Sequence, residues 1–176
     1  MGIETSTVFQ KALWIVSNIP YGGVGIRDSE WPARNNRGSC SSKHALLSEI
    51  LMSMGLEVEF MIGEVDLHAF GKNLETKIHV PTDTLDYHNY LRVKICERWV
   101  NVDATFGISE THFGLDNNLD WDGVSDCRIL FPVRRAWKVE DLFLAKARHI
   151  ERLSLQQRLN REFFFNELSC RLRNTS

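Results

Sequence analysis

The chain has 176 residues, of which 43% are hydrophobic and 25% charged, and this globular composition excludes a largely disordered protein. Its length is that of one domain, so we expect a single domain over residues 1–176. The formal net charge of −2 provides no bulk attraction to nucleic acid or to an anionic membrane, and we expect neither as a partner.

The first third of the chain contains two predicted helices with an irregular segment between them. Apolar residues spaced three and four apart predict a helix over 6–17. One proline and three glycines predict a loop over 19–25, and the polar segment after it is predicted to stay irregular up to Gly38. A second amphipathic helix is predicted over 39–54, and Gly55 is placed to end it.

The middle of the chain is predicted to form β-structure. A short apolar strand is predicted over 58–62, followed by a long connection over 66–86. Within residues 87–106, two alternating apolar runs flank a polar stretch at Cys96-Glu97-Arg98. This pattern predicts a β-hairpin whose turn is centred on Cys96-Glu97.

The last third is predicted to be irregular at first and then helical. Residues 107–137 are rich in Asp, Asn and Gly, which predicts loops with one strand near 128–133. Helix-forming residues dominate from residue 138, which predicts a helical extension of one or two amphipathic helices over 138–172. The arginines of this extension alternate with glutamates, which favours a solvated helix face over a nucleic-acid surface.

The cysteines and the N-terminus indicate the compartment. The four cysteines are far apart in a chain that is large enough to fold without disulfides. No leader with a basic and then an apolar segment opens the sequence, and no apolar stretch approaches the roughly 18 residues of a membrane span. We therefore expect reduced thiols and a cytoplasmic location.

Cys40 is the candidate nucleophile. It lies in the first turn of the helix predicted over 39–54, where unpaired N–H groups and the helix dipole lower the pKa of a thiol. Gly38 allows a sharp turn and a close approach of substrate, and Lys43 adds positive potential one turn later. Taken alone, Cys40 is better explained as a small buried helix residue, since free cysteines are among the most buried residue types.

His88 and Asp103 are the candidate base and orienting residue. A turn centred on Cys96-Glu97 pairs position 90 with 103, which makes His88 and Asp103 diagonal neighbours on one face of the hairpin. Such neighbours lie within about 8 Å at their Cβ atoms, close enough for a carboxylate to bind an imidazole. A turn centred on Glu97-Arg98 instead would keep His88 and Asp103 on the same face of the hairpin but would move them apart.

Three segments together resemble the transglutaminase-like family. Its motifs are a small-residue turn with a cysteine that opens a helix, a histidine that opens a strand, and a Trp-x-x-x-Asp-x-Thr hairpin end. The matching segments are Gly38-Ser39-Cys40 with the helix after it, His88 with the strand after it, and Trp99-Val100-Asn101-Val102-Asp103-Ala104-Thr105. The resemblance covers residues 36–106.

This resemblance implies an α+β fold with a papain-like, transglutaminase-like core. The nucleophile helix would pack on an antiparallel β-sheet, and the helical extension would follow it. Cys40, His88 and Asp103 would form a catalytic triad for acyl transfer or hydrolysis at an amide or thioester carbonyl through an acyl-enzyme. The substrate would be a peptide, an amide or a carrier-bound acyl group, with water or an amine as acceptor.

Several alternatives stay open at this stage. His44 lies one turn after Cys40 and competes as the base. The Cys40 N–H is the natural first donor of an oxyanion hole, but no motif selects a second donor among Trp31, Asn35 and Asn36. A binding or scaffold module that keeps the fold without chemistry is the alternative function.

No cofactor is expected from the sequence. It contains no metal-ligand motif of the His-Glu-x-x-His or Cys-x-x-Cys type. The glycine-rich segment 22–25 lacks the Lys-Ser/Thr of a phosphate-binding loop, so we interpret it as a hinge or a turn.

Overall fold

A computed structural model describes residues 3–75 and 77–173, with side chains from residue 7 onward. The elements in chain order are α1 (Ile3–Ser17), α2 (Trp31–Asn35), α3 (Cys40–Ser53), β1 (Val58–Asp66), α4 (Leu67–Asn73), β2 (Leu85–Ile95), β3 (Arg98–Val102), a 3₁₀ helix (Ile108–Phe113), β4 (Val133–Val139), α5 (Leu142–Glu151) and α6 (Leu155–Arg173). Within these residues, no helix combines the length and apolar character that crossing a bilayer requires.

The strands form one antiparallel sheet in the order β3-β2-β1-β4. Helix α3 packs on β2, and Leu47 and Leu51 of the helix share a core cluster with Leu91 and Val93 of the strand. These side chains are essentially fully buried, and each contributes about 1.5–3 kcal/mol to stability. The chain therefore has the predicted α+β class, with a helix on an antiparallel sheet.

The β2–β3 hairpin has the predicted register. Leu91 pairs with Val102, and Ile95 pairs with Arg98, so the turn is centred on Cys96 and Glu97. Both turn residues have positive φ, 49° and 62°, as a type I′ turn requires. The backbone twist of this turn matches that of the flanking strands, and the register that it sets carries position 103 beside position 90.

A second core cluster joins the C-terminal helix to the middle of the chain. Phe164 and Leu168 of α6 are buried against Phe70 of α4 and against Phe131, which precedes β4. The ring centroids of Phe70 and Phe131 are 4.4 Å apart. Helix α6 is thus packed into the core that also supports the sheet.

Two helices were not predicted. The segment before Gly38, predicted to be irregular, contains the short helix α2, which carries Pro32 near its start, a favoured position for proline. The connection predicted over 66–86 contains α4, whose N-cap Asp66 accepts hydrogen bonds from the backbone N–H groups of His68 and Ala69 at 3.0 and 3.1 Å. This capping signal was available in the sequence.

The strand predictions also need correction. Strand β1 runs to Asp66 rather than ending at residue 62. The strand predicted near 128–133 lies at Val133–Val139 instead, so the helical extension begins at Leu142 and not at residue 138. β4 is an edge strand with five consecutive exposed residues. Because few of its side chains are buried, its sequence lacks the alternation of apolar and polar residues that predicts a strand.

The predicted helix boundaries are close to the observed ones. Helix α1 begins at Ile3, three residues before the predicted start, and ends at Ser17 as predicted. Helix α3 begins at Cys40 after the N-cap Ser39. Gly55 has a φ of +83° just past the end of α3, which is the left-handed conformation that ends helices.

Candidate active site

The sulfur of Cys40 lies at the N-terminus of α3, beside a cavity of about 210 Å³. The preceding turn is fixed by the Ser39 N–H, which donates to Ser42 Oγ at 3.0 Å. A Cβ at Gly38 would lie 2.6 Å from Lys43 Cγ, so only glycine fits there. Cys40 is 3% exposed, and as the first residue of the helix it has no carbonyl one turn earlier to accept its N–H.

His88 and Asp103 form a buried hydrogen-bonded pair. The distance from His88 Nε2 to Asp103 Oδ2 is 2.7 Å, and neither side chain is exposed by more than 1%. Asp103 also accepts from the Thr105 N–H at 3.0 Å, the Thr105 hydroxyl at 2.6 Å and the Leu130 N–H at 2.9 Å. These bonds fix the carboxylate, so it can fix the orientation of the ring.

His88 and Asp103 each shift the pKa of the other toward the charged form. Burial on its own would raise the pKa of the Asp103 carboxyl, but the charge and hydrogen bond of His88 hold that pKa well below its usual range. Burial on its own would lower the pKa of His88, but the negative charge of Asp103 and a contact with Cys40 raise it to about 9. The ring therefore carries a proton at neutral pH.

The second ring nitrogen of His88 does not contact Asp103. His88 Nδ1 is buried and has no hydrogen-bond acceptor within the described residues, so it is left available for the sulfur. Burial on its own would raise the pKa of Cys40, but the charge of Lys146 and the contact with His88 lower it to about 5. The pKa of Cys40 is thus lowered and that of His88 raised, which are the directions that favour a thiolate beside an imidazolium.

Lys146 is a member of the site that the sequence did not reveal. Its Nζ donates to Cys40 Sγ at 3.4 Å, across 106 residues of sequence. The ammonium lies 3.5 Å from Asp86 Oδ2, and Arg161 forms a second ion pair with the same carboxylate. Asp86 and Lys146 are both buried. A cation is thus held at the sulfur by a buried charge network from β2, α5 and α6.

Asn89 ties the nucleophile helix to the helix that carries Lys146. Its Nδ2 donates to Ser41 Oγ at 2.9 Å and to the carbonyl of Leu142 at 3.2 Å. Ser41 directly follows the nucleophile, and Leu142 begins α5. Replacing this amide would loosen both helices at the site, and no motif in the sequence marks the residue for this role.

His44 does not compete as the base, because both of its ring nitrogens are occupied. Nδ1 lies 2.6 Å from the Cys40 carbonyl, and Nε2 accepts the Ala104 N–H at 2.9 Å. Nε2 also lies 3.4 Å from Asp103 Oδ1. His44 joins the start of α3 to the segment after β3, and its hydrogen bonds favour His88 over His44 as the candidate base.

Lys43 is fully buried and does not line the cavity beside Cys40. Its Nζ donates to the carbonyls of Ser17, Ile19 and Thr105, each at 2.8 Å. Burial lowers the pKa of Lys43 to about 7, while the three acceptors match the three protons of an ammonium. Lys43 links α1, the loop after it and the segment after β3.

The residues considered for a second oxyanion donor are not brought to the sulfur. Asn35 Nδ2 donates to the Trp31 carbonyl within α2 at 3.0 Å, and Asn36 ends that helix in a left-handed conformation. None of the three lines the Cys40 cavity. Within the described residues, no group of three or more His, Cys, Asp or Glu side chains could hold a metal ion.

The chain was compared with family models, with curated proteins and with solved structures. No protein-family model matches it, and no curated protein matches it in sequence. Among solved structures it is similar to a candidate cysteine protease from Cytophaga hutchinsonii, with a TM-score of 0.42 and 14% identity. The match covers 77% of this chain and 43% of that protein, so the chain spans less than half of its length.

Proposed function

We propose that the chain is a cysteine-dependent acyl-transfer enzyme or amide hydrolase with Cys40 as nucleophile, His88 as general base and acid, and Asp103 as orienting residue. The observation that carries the proposal is the buried cluster at the start of α3, where Lys146 Nζ lies 3.4 Å from Cys40 Sγ and His88 Nε2 lies 2.7 Å from Asp103 Oδ2, with the pKa of Cys40 lowered to about 5. A structural cysteine has no need of a lowered pKa, whereas a nucleophile does.

The reaction proceeds in two steps. The Cys40 thiolate attacks the carbonyl carbon of an amide or thioester, and the carbonyl oxygen takes the negative charge. The tetrahedral intermediate collapses when the His88 imidazolium gives its proton to the leaving amine or thiol, which leaves a thioester on Cys40. His88, now neutral, takes a proton from water or an amine as that acceptor attacks the thioester.

The papain-like, transglutaminase-like arrangement is part of this proposal. Helix α3 carries the nucleophile and packs on an antiparallel sheet, while β2 and the end of β3 carry the other two residues. The Cys40 N–H, at the start of the helix, is the proposed first oxyanion donor. The proposed substrate is a peptide, an amide or a carrier-bound acyl group.

Trapping an acyl-enzyme tests the proposal. The protein is incubated with a panel of simple thioesters and activated amides, quenched in acid, and analysed by intact mass and peptide mapping. We expect an acyl adduct on Cys40 and its loss in Cys40→Ala, because no other residue carries the nucleophile. His88→Asn and Asp103→Asn should slow acylation by about 10² or more.

An adduct-free protein across the panel, combined with an unreactive Cys40, would favour the scaffold alternative. An adduct that persists in Cys40→Ala would remove Cys40 from the mechanism. Cys96→Ser is the matched control, since this cysteine is exposed and lies in the β2–β3 turn. Its acylation rate should equal that of the wild type.

A further inference from the structure

A second cavity continues the Cys40 cavity along α6. It has a volume of about 540 Å³, and it shares Val24, Gly25, Ile150 and Arg161 with the first cavity. The shared residues make the two cavities neighbours, and we name the pair the arginine groove. Cys40 lines the first cavity of the groove.

The arginine groove has a strong excess of positive charge. Its lining cations are Arg27, Arg37, Lys146, Arg158, Arg161 and Arg173, and its lining acid is Glu162. Asp86 compensates only the two cations that it pairs with, Lys146 and Arg161. The whole chain has a net charge of −2, so this concentration of cations is a local feature.

Most of these arginines have no acidic partner of their own. In the described part of the chain, Arg27, Arg37, Arg158 and Arg173 take part in no ion pair. Arginines close together repel one another, and that repulsion is relieved when an anion lies between them. Arg27, Arg158 and Arg173 are exposed, so the groove presents unpaired guanidinium groups to an anion that arrives from solvent.

Several of the groove cations are held in position. The aliphatic part of Arg37 lies across Gly22, where an added Cβ would be 2.5 Å from Arg37 Cδ. The guanidinium of Arg161 lies 5.0 Å from the centre of the Phe165 ring and pairs with Asp86. Arg173 Nε donates to the Ser169 carbonyl at 3.2 Å. This ordering reduces the entropy cost of binding an anion.

We infer that the arginine groove binds a multiply charged oxyanion, phosphate or carboxylate, on the acyl donor, and so selects anionic substrates. This inference rests on the proposed function, because the groove matters only if an acyl group reaches Cys40. Guanidinium groups match the planar, bidentate geometry of both phosphate and carboxylate. Cavities of this size suit a small molecule or a terminal group rather than a polymer.

Calorimetry with two anions tests the binding directly. Inorganic pyrophosphate and citrate are titrated into the wild-type protein, so that phosphate and carboxylate chemistry are compared. We expect at least one anion to bind, and we expect Arg158→Gln and Arg173→Gln each to weaken it by about tenfold or more. Arg148→Gln is the matched control, since this exposed arginine of α5 lines neither cavity.

The rate of Cys40 alkylation distinguishes a failure of the anion-binding inference from a failure of the proposed thiol chemistry. Iodoacetate and iodoacetamide differ in charge and carry out the same reaction, so their rate ratio on Cys40 reports the local potential. We expect a ratio at least about tenfold above that of free cysteine, reduced in a Lys146→Met variant. A fast iodoacetamide reaction with an unchanged ratio would overturn the groove and leave the thiol chemistry intact.

Three further results would overturn the inference. The first is the absence of binding by either anion in a folded protein, as judged by thermal melting. The second is binding that Arg158→Gln, Arg173→Gln and the control reduce equally. The third is tighter binding of a short oligothymidylate than of pyrophosphate with the same arginine dependence, which would assign the groove to nucleic acid.

Discussion

At the scale of single residues, the chemistry of Cys40 depends on neighbours that lie far apart in sequence. His88 and Lys146 both approach the sulfur, and both lower its pKa. His88 is in turn controlled by Asp103, whose carboxylate is fixed by Thr105 and by the Leu130 N–H. The pKa of Cys40, the proposed nucleophile, is therefore lowered by two cationic side chains that are themselves held by buried carboxylates.

Removing the Lys146 charge should raise the pKa of Cys40. In Lys146→Met the stem keeps its packing but the ammonium is lost, so we expect the pH at half-maximal alkylation by iodoacetamide to rise by about one unit or more. Lys138→Met is the matched control, because Lys138 pairs with Glu59 on the exposed face of β4. Equal midpoints in both variants would remove Lys146 from the activation of the thiol.

His44 and His88 should behave differently when replaced. His44→Asn leaves the Cys40 carbonyl and the Ala104 N–H unsatisfied, so we expect it to lower the free energy of unfolding by about 1–3 kcal/mol. The pH dependence of Cys40 alkylation should stay close to that of the wild type. His88→Asn should instead move that dependence upward. If the pH dependence of Cys40 alkylation moved as far in the His44 variant as in the His88 variant, the assignment of His88 as the base would be contradicted.

The candidate triad could be predicted from the sequence, and its surroundings could not. Cys40, His88 and Asp103 follow from a helix start, a strand and a hairpin end within one recognisable segment. Lys146 belongs to an amphipathic helix without a motif, and its place beside the sulfur depends on how α5 packs against the sheet. Tertiary packing of that kind leaves no local signal in the sequence.

At the scale of elements, the β2–β3 hairpin is what brings the candidate base and its carboxylate together. Two alternating strands and a polar turn made its register predictable. The edge strand β4 was misplaced because its residues are mostly exposed and do not alternate. Helix α4 was missed because the prediction gave weight to glycine and proline and overlooked the Asp66 cap.

The hairpin turn can be tested by supplying residues that prefer its conformation. Cys96 and Glu97 both have positive φ, a conformation that costs L-residues energy and that Asn-Gly adopts readily. The double variant Cys96→Asn/Glu97→Gly should therefore raise the free energy of unfolding by about 1 kcal/mol in urea. Arg98→Gly, in the strand beside the turn, should lower it by about 0.5–1 kcal/mol. A destabilised double variant would contradict the type I′ geometry.

At the scale of the whole molecule, the C-terminal helices complete the site. The segment that resembles a known family ends near residue 106, whereas Lys146 and Arg161 lie beyond it. Helix α6 buries Phe164 in the core and supplies Arg161 to the charge network around Asp86. The stability of the extension and the electrostatics of Cys40 are consequently linked.

Two neighbouring phenylalanines of α6 test this packing. Phe164 is fully buried and Phe163 is 52% exposed, so the same substitution should have different effects at the two positions. Phe164→Ala should lower the free energy of unfolding by about 3–5 kcal/mol, and Phe163→Ala by less than about 0.5 kcal/mol. Urea unfolding followed by tryptophan fluorescence measures both, and similar values would contradict the packing of α6 in the core.

The titration of the Cys40 thiolate tests the central claim most directly. The ultraviolet absorbance of the thiolate is followed with pH in a Cys96→Ser/Cys170→Ser background and compared with the same background carrying Cys40→Ala. Cys127 does not interfere, because burial raises its pKa to about 12. We predict a thiolate that forms with a midpoint near pH 5 and disappears in Cys40→Ala. A midpoint near that of a free thiol, about 8.5, would contradict an activated nucleophile.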